Sequence, residues 1–159
     1  MLRILLMSST QRTLNLNPLN KCGWSPTHFA AKSGNCGVIR LLHSLNLELA
    51  YHRARERFDL SMEGGALSYT PLHLTVFSSF VHCSEELFRS GEADLFKRNK
   101  DFFRPIDLTR GNLITYKIMK KGERDFFRRF YGPAPSKRVY EKDLVSYELV
   151  SNALHRFFK

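Results

Sequence analysis

The hydrophobic positions fall into short helical stripes separated by small and polar turn residues. After Pro26, the small pair Ala30-Ala31 leads to Gly34-Asn35. Val38, Ile39, Leu41 and Leu42 then recur at the three- and four-residue steps of a helix with one buried face. Gly34 marks a tight turn between two helices. A second stretch, from Ser68, reads SYTPLHL, and a third, from Phe102, reads FFRPIDL. Their prolines align as Pro26, Pro71 and Pro105, at intervals of 45 and 34 residues. Ser25 and Thr70 stand where a hydroxyl caps the free amides opening a helix. The prolines follow at the first helical position, where a missing N–H costs nothing. Arg104 offers no such hydroxyl, so the third unit is expected to start less regularly. A further helix is predicted from Leu113 to about Lys121, interrupted by Gly122 and followed by a separate short helix over 123–131.

Ser25-Pro26-Thr27-His28-Phe29-Ala30-Ala31 with Gly34, and Thr70-Pro71-Leu72-His73-Leu74 with Leu87 and Gly91 to Asp94, resemble the ankyrin-repeat family. The second match has Thr75-Val76 for the usual Ala pair and Ser79 for the usual Gly. The third has Arg104 for Thr and Asp107 for His. The 34-residue interval is close to the family period of about 33, and the 45-residue interval implies an insertion of about twelve residues. The resemblance implies an all-α fold, an ankyrin-repeat solenoid of helix-turn-helix units with a C-terminal helical extension. It gives structural roles to Ser25, Pro26, His28, Gly34, Thr70, Pro71, His73 and Pro105. In it the two histidines hydrogen-bond the motif hydroxyl and a neighbouring backbone group, tying repeats together. Neither has a nucleophile or carboxylate at motif spacing, so a catalytic triad is unsupported.

Residues 1–19 read as a partial N-terminal cap, where Leu2, Ile4, Leu5 and Leu6 look like half a repeat. Residues 20–131 hold the repeats, with an insertion at 51–67 and a terminal helix. A Pro-rich linker follows at 132–138. Residues 139–159 read as an amphipathic C-terminal helix whose stripe is Leu144, Tyr147, Val150, Leu154 and Phe158. The insertion carries Arg53, Arg55 and Arg57, and is either an enlarged binding finger or a solvated loop. Over 123–131, Phe126 and Phe127 interleave with Arg124, Arg128 and Arg129. That stretch either caps the open end of the array or grips RNA by stacking and phosphate contact. Capping is favoured, because terminal repeats need cover.

Composition changes the picture in three ways. First, 159 residues with 43% hydrophobic and 25% charged side chains suit one folded domain and exclude global disorder. Thirteen Phe in so short a chain point to apolar surface beyond the needs of its core. Second, the net charge of +10 is uneven: no acid precedes Glu48, and residues 97–138 hold thirteen basic and four acidic side chains. Such a field either serves solubility or favours an anionic partner. Third, the cysteines number three, Cys22, Cys36 and Cys83, with no close pair. They argue against a disulfide framework and for a reducing compartment.

No Cys/His spacing marks a zinc site, and no phosphate loop, nucleophile elbow or kinase motif occurs. Catalytic residues, metals and cofactors are therefore not expected, and nothing indicates a homo-oligomer. The apolar run from Ile4 to Met7 is too short to span a membrane. Arg3 and Arg12, amid hydroxyl residues and no acids, resemble a mitochondrial presequence in composition. The function expected from all this is a non-catalytic structural or adaptor subunit of a larger intracellular or mitochondrial protein assembly. The alternatives are an RNA-contacting subunit of an organellar ribonucleoprotein, through residues 97–138, and a freestanding regulatory adaptor holding a peptide on a concave face.

Overall fold

The computed structural model describes residues 15–51 and 56–132. The cap residues Leu2, Ile4, Leu5 and Leu6, the insertion's Arg53 and Arg55, and everything from residue 133 onward lie outside the described residues. That last portion includes most of the linker and the stripe Leu144, Tyr147, Val150, Leu154 and Phe158.

Among the described residues the regular structure is helical. The elements are α1 (Pro26–Lys32), α2 (Cys36–Tyr51), α3 (Pro71–Phe77), α4 (Val81–Ser90), a 3-10 helix (Pro105–Thr109) and α5 (Leu113–Tyr131). The fold class is all-α. Each of Pro26, Pro71 and Pro105 stands in the first turn of its helix, where it deprives no earlier carbonyl of a donor. Helix α1 packs on α2, and α3 packs on α4. In addition α1 packs on α3, α2 on α4, and α3 on the 3-10 helix. The first helices therefore neighbour one another in one layer and the second helices in another. Ala31, Ile39, Leu72, Val76 and Leu87 are fully buried in this core. Burying a side chain of the Leu or Ile class contributes about 1.5–3 kcal/mol.

The turns follow the sequence closely. Gly34, between α1 and α2, has φ +67°, and a Cβ there would stand 2.9 Å from the Phe80 ring. Only glycine meets both demands at no cost. The corresponding turn after α3 places Ser79 at φ +59°, and Asn112 donates to its hydroxyl at 3.1 Å. Thr75, at an Ala position of the second motif, is buried, accepting from Ser84 Oγ and donating to the Leu72 carbonyl, each at 3.0 Å. The third unit opens differently: Asp107 accepts from the Arg104 amide at 2.8 Å and pairs with its guanidinium at 3.3 Å. A 3-10 segment, and not an α-helix, follows.

A tight turn precedes each first helix. Asn20 N–H donates to the Trp24 carbonyl at 3.0 Å, and Asn99 N–H to the Phe103 carbonyl at 3.0 Å. Gly64 and Tyr69 form an isolated antiparallel bridge. The described part of the insertion leads into that bridge and is pinned. Phe58 and Leu60 are buried, and the Asn46 amide exchanges two 2.8 Å bonds with the backbone of Phe58. Asn17 does the same on the other side, accepting from Asp59 N–H and donating to the Arg57 carbonyl, both at 2.7 Å. Ser61 hydrogen-bonds the Glu92 carbonyl. Phe58 and Leu60 turn into the core, two Asn amides hold the main chain of this segment between them, and Arg57 is exposed.

Two sequence expectations are corrected here. Gly122 does not interrupt the helix, and α5 runs through it from Leu113 to Tyr131. The reason is packing: a Cβ at Gly122 would stand 3.0 Å from the Phe88 ring, so the glycine admits α4's aromatic and does not serve as a break. The thiols also differ. Cys36, opening α2, and Cys83, in the first turn of α4, form a disulfide with their Cα atoms 4.6 Å apart. The contact between α2 and α4 brings together residues 47 apart in the chain. Cys22 is free and exposed.

The chain divides into two compact units, Met1–Glu123 and Arg124–Lys159. All the packing above belongs to the first. In the second, the described residues are the last turns of α5 and Gly132. There Phe126 and Phe127 are half-buried with their rings edge to face at 5.8 Å.

Candidate recognition surface

Two matching clamps organise the first unit. In the first, His28 Nδ1 lies 2.7 Å from the Ser25 hydroxyl and accepts from the Ser25 amide at 3.2 Å. Its Nε2 donates to the Tyr69 carbonyl at 2.9 Å, across to the next unit. In the second, His73 Nδ1 lies 2.8 Å from the Thr70 hydroxyl, and Nε2 donates to the Phe103 carbonyl at 3.0 Å. Ser25, His28, Thr70 and His73 are all buried. Burial pushes both imidazoles below the ordinary histidine range, although their carbonyl partners favour the charged ring. With both ring nitrogens engaged, neither histidine holds a free site for proton transfer.

The carbonyls that accept these bonds belong to Tyr69 and Phe103, each two residues before its unit's proline, and Trp24 holds the same place in the first unit. An aromatic row results, extended by the first helices. The Trp24 and Phe29 rings are 5.7 Å apart, and Tyr69 stacks on His73 at 5.7 Å and approaches Phe77 at 6.4 Å. Phe29 is 49% exposed, Phe103 44% and Phe77 37%. Two cations lie on these rings: Lys32 Nζ at 4.4 Å from the Trp24 centroid, and the Arg110 guanidinium at 3.8 Å from that of Phe77. Both are exposed. The face is aromatic with a positive rim.

The sequence named candidate binding residues outside the repeat motifs, and Trp24, Tyr69 and Phe103, which recur within the repeat itself, were not among them. Their shared offset from the prolines was the available signal. Of the candidates it did name, Arg57 is exposed, with its backbone carbonyl held by Asn17. Arg124, Arg128 and Arg129 are exposed on the last turns of α5, where Arg128 reaches Asp125 at 3.9 Å. Upstream, Lys97 pairs with Glu63 at 2.7 Å, Arg104 with Asp107, and Lys120 with Glu123 at 3.2 Å. Arg98 donates to the Phe102 carbonyl at 2.7 Å. Much of that basic run is thus engaged within the fold. Among the described residues no cluster of His, Cys, Asp and Glu could hold a metal, and no helix is long and apolar enough to cross a membrane.

No family model matches the chain. Over 98 residues, 60% of its length, it is 32% identical to alpha-latrotoxin-Lhe1a of Latrodectus hesperus. Alpha-latrotoxin-Lt1a of Latrodectus tredecimguttatus matches to the same extent. Over 92 residues it is also 32% identical to alpha-latrotoxin-Lg1a of Latrodectus geometricus. The chain spans about 6% of the length of these curated relatives.

These findings overturn the functional expectation. The relatives are toxins by name, not subunits of intracellular assemblies. The readings as a mitochondrial or other intracellular structural subunit and as an organellar ribonucleoprotein component therefore fall. The reducing compartment falls with them, because a structural disulfide such as Cys36–Cys83 forms and persists where the surroundings oxidise.

Proposed function

We propose that this chain is an ankyrin-repeat protein of toxin-like kind that acts outside the cell producing it. It works without catalysis, by holding another protein on the face that carries Trp24, Phe29, Tyr69 and Phe77. The observation that carries this reading is the duplicated clamp. A hydroxyl, a histidine three residues on and a carbonyl of the next unit recur at the same offsets from Pro26 and Pro71. Units joined this way present the same positions side by side, which makes a continuous surface from short pieces. Similarity to alpha-latrotoxins and the Cys36–Cys83 bond support the extracellular setting. Saturated hydrogen bonding at His28 and His73 supports a structural role for both.

Panning a random peptide library against the oxidised full chain tests the proposal. Enriched ligands should lose about tenfold or more in affinity on the Phe29→Ala/Phe77→Ala variant, whose exposed aromatics supply the contact area, and keep it on Leu47→Ala. Failure to enrich any ligand over a denatured-chain control would remove the reading, as would binding indifferent to the aromatic pair.

A further inference from the structure

We infer that the segment held on this face is acidic, with carboxylates that meet Lys32 and Arg110 and apolar side chains that fill the space between the rings. The inference rests on the binding face proposed above and names the chemistry of its occupant.

The carboxylates of the first unit are mostly engaged elsewhere. Glu63 holds Lys97, Glu86 holds Arg40 at 2.7 Å and Arg89 at 3.4 Å, and Asp107 holds Arg104. Glu92 accepts from Asn46 at 2.9 Å, Asp59 from the Ser61 amide and Asp94 from the Phe96 amide. Lys32 and Arg110 make no ion pair among the described residues. Each instead lies on an aromatic face. A guanidinium stacked on a ring keeps its in-plane N–H donors directed outward, in the fork geometry that suits a carboxylate. Arg110 is further fixed by its backbone, which stands at φ +49° directly after the 3-10 helix. The side chain therefore leaves a defined point of the chain and returns over Phe77, the last residue of α3. Phe103 is 44% exposed, and Phe29 is 49% exposed beside the Trp24–Lys32 pair. Cations that pair with no carboxylate among the described residues, seated on half-exposed rings, complement a segment that alternates acidic and apolar residues.

The probe is a fluorescein-labelled twelve-residue peptide of Glu, Asp, Leu and Phe, titrated into the oxidised full chain and followed by fluorescence anisotropy. Its counterpart replaces every acid with Lys. The acidic peptide should bind and the basic one should not. Lys32→Gln/Arg110→Gln should weaken binding about tenfold or more, while Lys117→Gln/Lys121→Gln, which removes the same charge from α5, should leave it within twofold. Lys32→Glu/Arg110→Glu should reverse the preference and take the basic peptide. Equal losses in the two Gln pairs would reduce the effect to net charge and overturn the inference. So would stronger binding to phosphatidylserine vesicles than to the peptide, with the same residues required, since the occupant would then be a lipid surface. If panning yields ligands dependent on Phe29 and Phe77 that lack acids, the acidic partner is wrong while the binding face stands.

Discussion

At the scale of single residues, the two buried histidines set a pH dependence. Each imidazole is held below the ordinary value of 6.5, with burial as the main cause. The folded state therefore favours the neutral ring, and the unfolded chain takes up protons first as the pH falls. Stability should be complete above about 6.5 and should decline as the pH drops below it towards the lowered folded values. A thermal melt series from pH 7.5 to 5 should show the midpoint falling, and His28→Gln/His73→Gln should flatten that slope at the expense of a lower midpoint throughout. A midpoint constant over this range in the native chain would contradict the account. The sequence motif identified these histidines, because the residues three before each supply the hydroxyl. The resemblance implied a backbone acceptor in a neighbouring repeat, and what the sequence left open was which carbonyl it is. The Tyr69 and Phe103 carbonyls lie 41 and 30 residues away, and backbone groups leave no signature in side-chain patterns.

At the scale of elements, the informative case is the irregular segment through Phe58. Asn46, buried on α2, satisfies both backbone groups of Phe58 and still reaches Glu92 at 2.9 Å. Asn46→Ala would leave a buried N–H and a buried carbonyl without partners, a loss of about 2–4 kcal/mol. Hydrogen exchange should then accelerate at Phe58 and Leu60 while the amides of α3 keep their protection. If exchange rises uniformly, the segment is not an independent element and Asn46 acts on the whole core. The alternation Phe58, Asp59, Leu60 was visible in the sequence, but the surrounding arginines and Gly64-Gly65 outweighed it as a loop signal. Gly122 misled in the opposite direction. Read along the chain, a glycine between Lys121 and Glu123 marks a break, and only the Phe88 ring against it explains why the helix continues.

At the scale of the molecule, the Cys36–Cys83 bond and the α2–α4 contacts act together. Arg40 with Glu86 and Asn46 with Glu92 join the same two repeats. Closing a chain separation of 47 residues removes denatured-state entropy worth about 4 kcal/mol. Reduction should lower the denaturation free energy by that order, while Cys22→Ser should leave it unchanged. An unaltered denaturation midpoint after reduction would show that the bond adds nothing. Counting cysteines suggested reduced thiols because no two were near each other in sequence. The repeat spacing held the correction: Cys36 lies ten residues after Pro26 and Cys83 twelve after Pro71, both at the opening of a second helix. The pair of Asn grips has a different kind of consequence. The hydrogen bonds of Asn17 and Asn46 to residues 57–59 go to main-chain atoms, so the attachment is blind to the exposed side chains of Glu56 and Arg57. Those two positions are a blank page on the molecule's surface, where a new label, charge or epitope can be written while the scaffold stays the same.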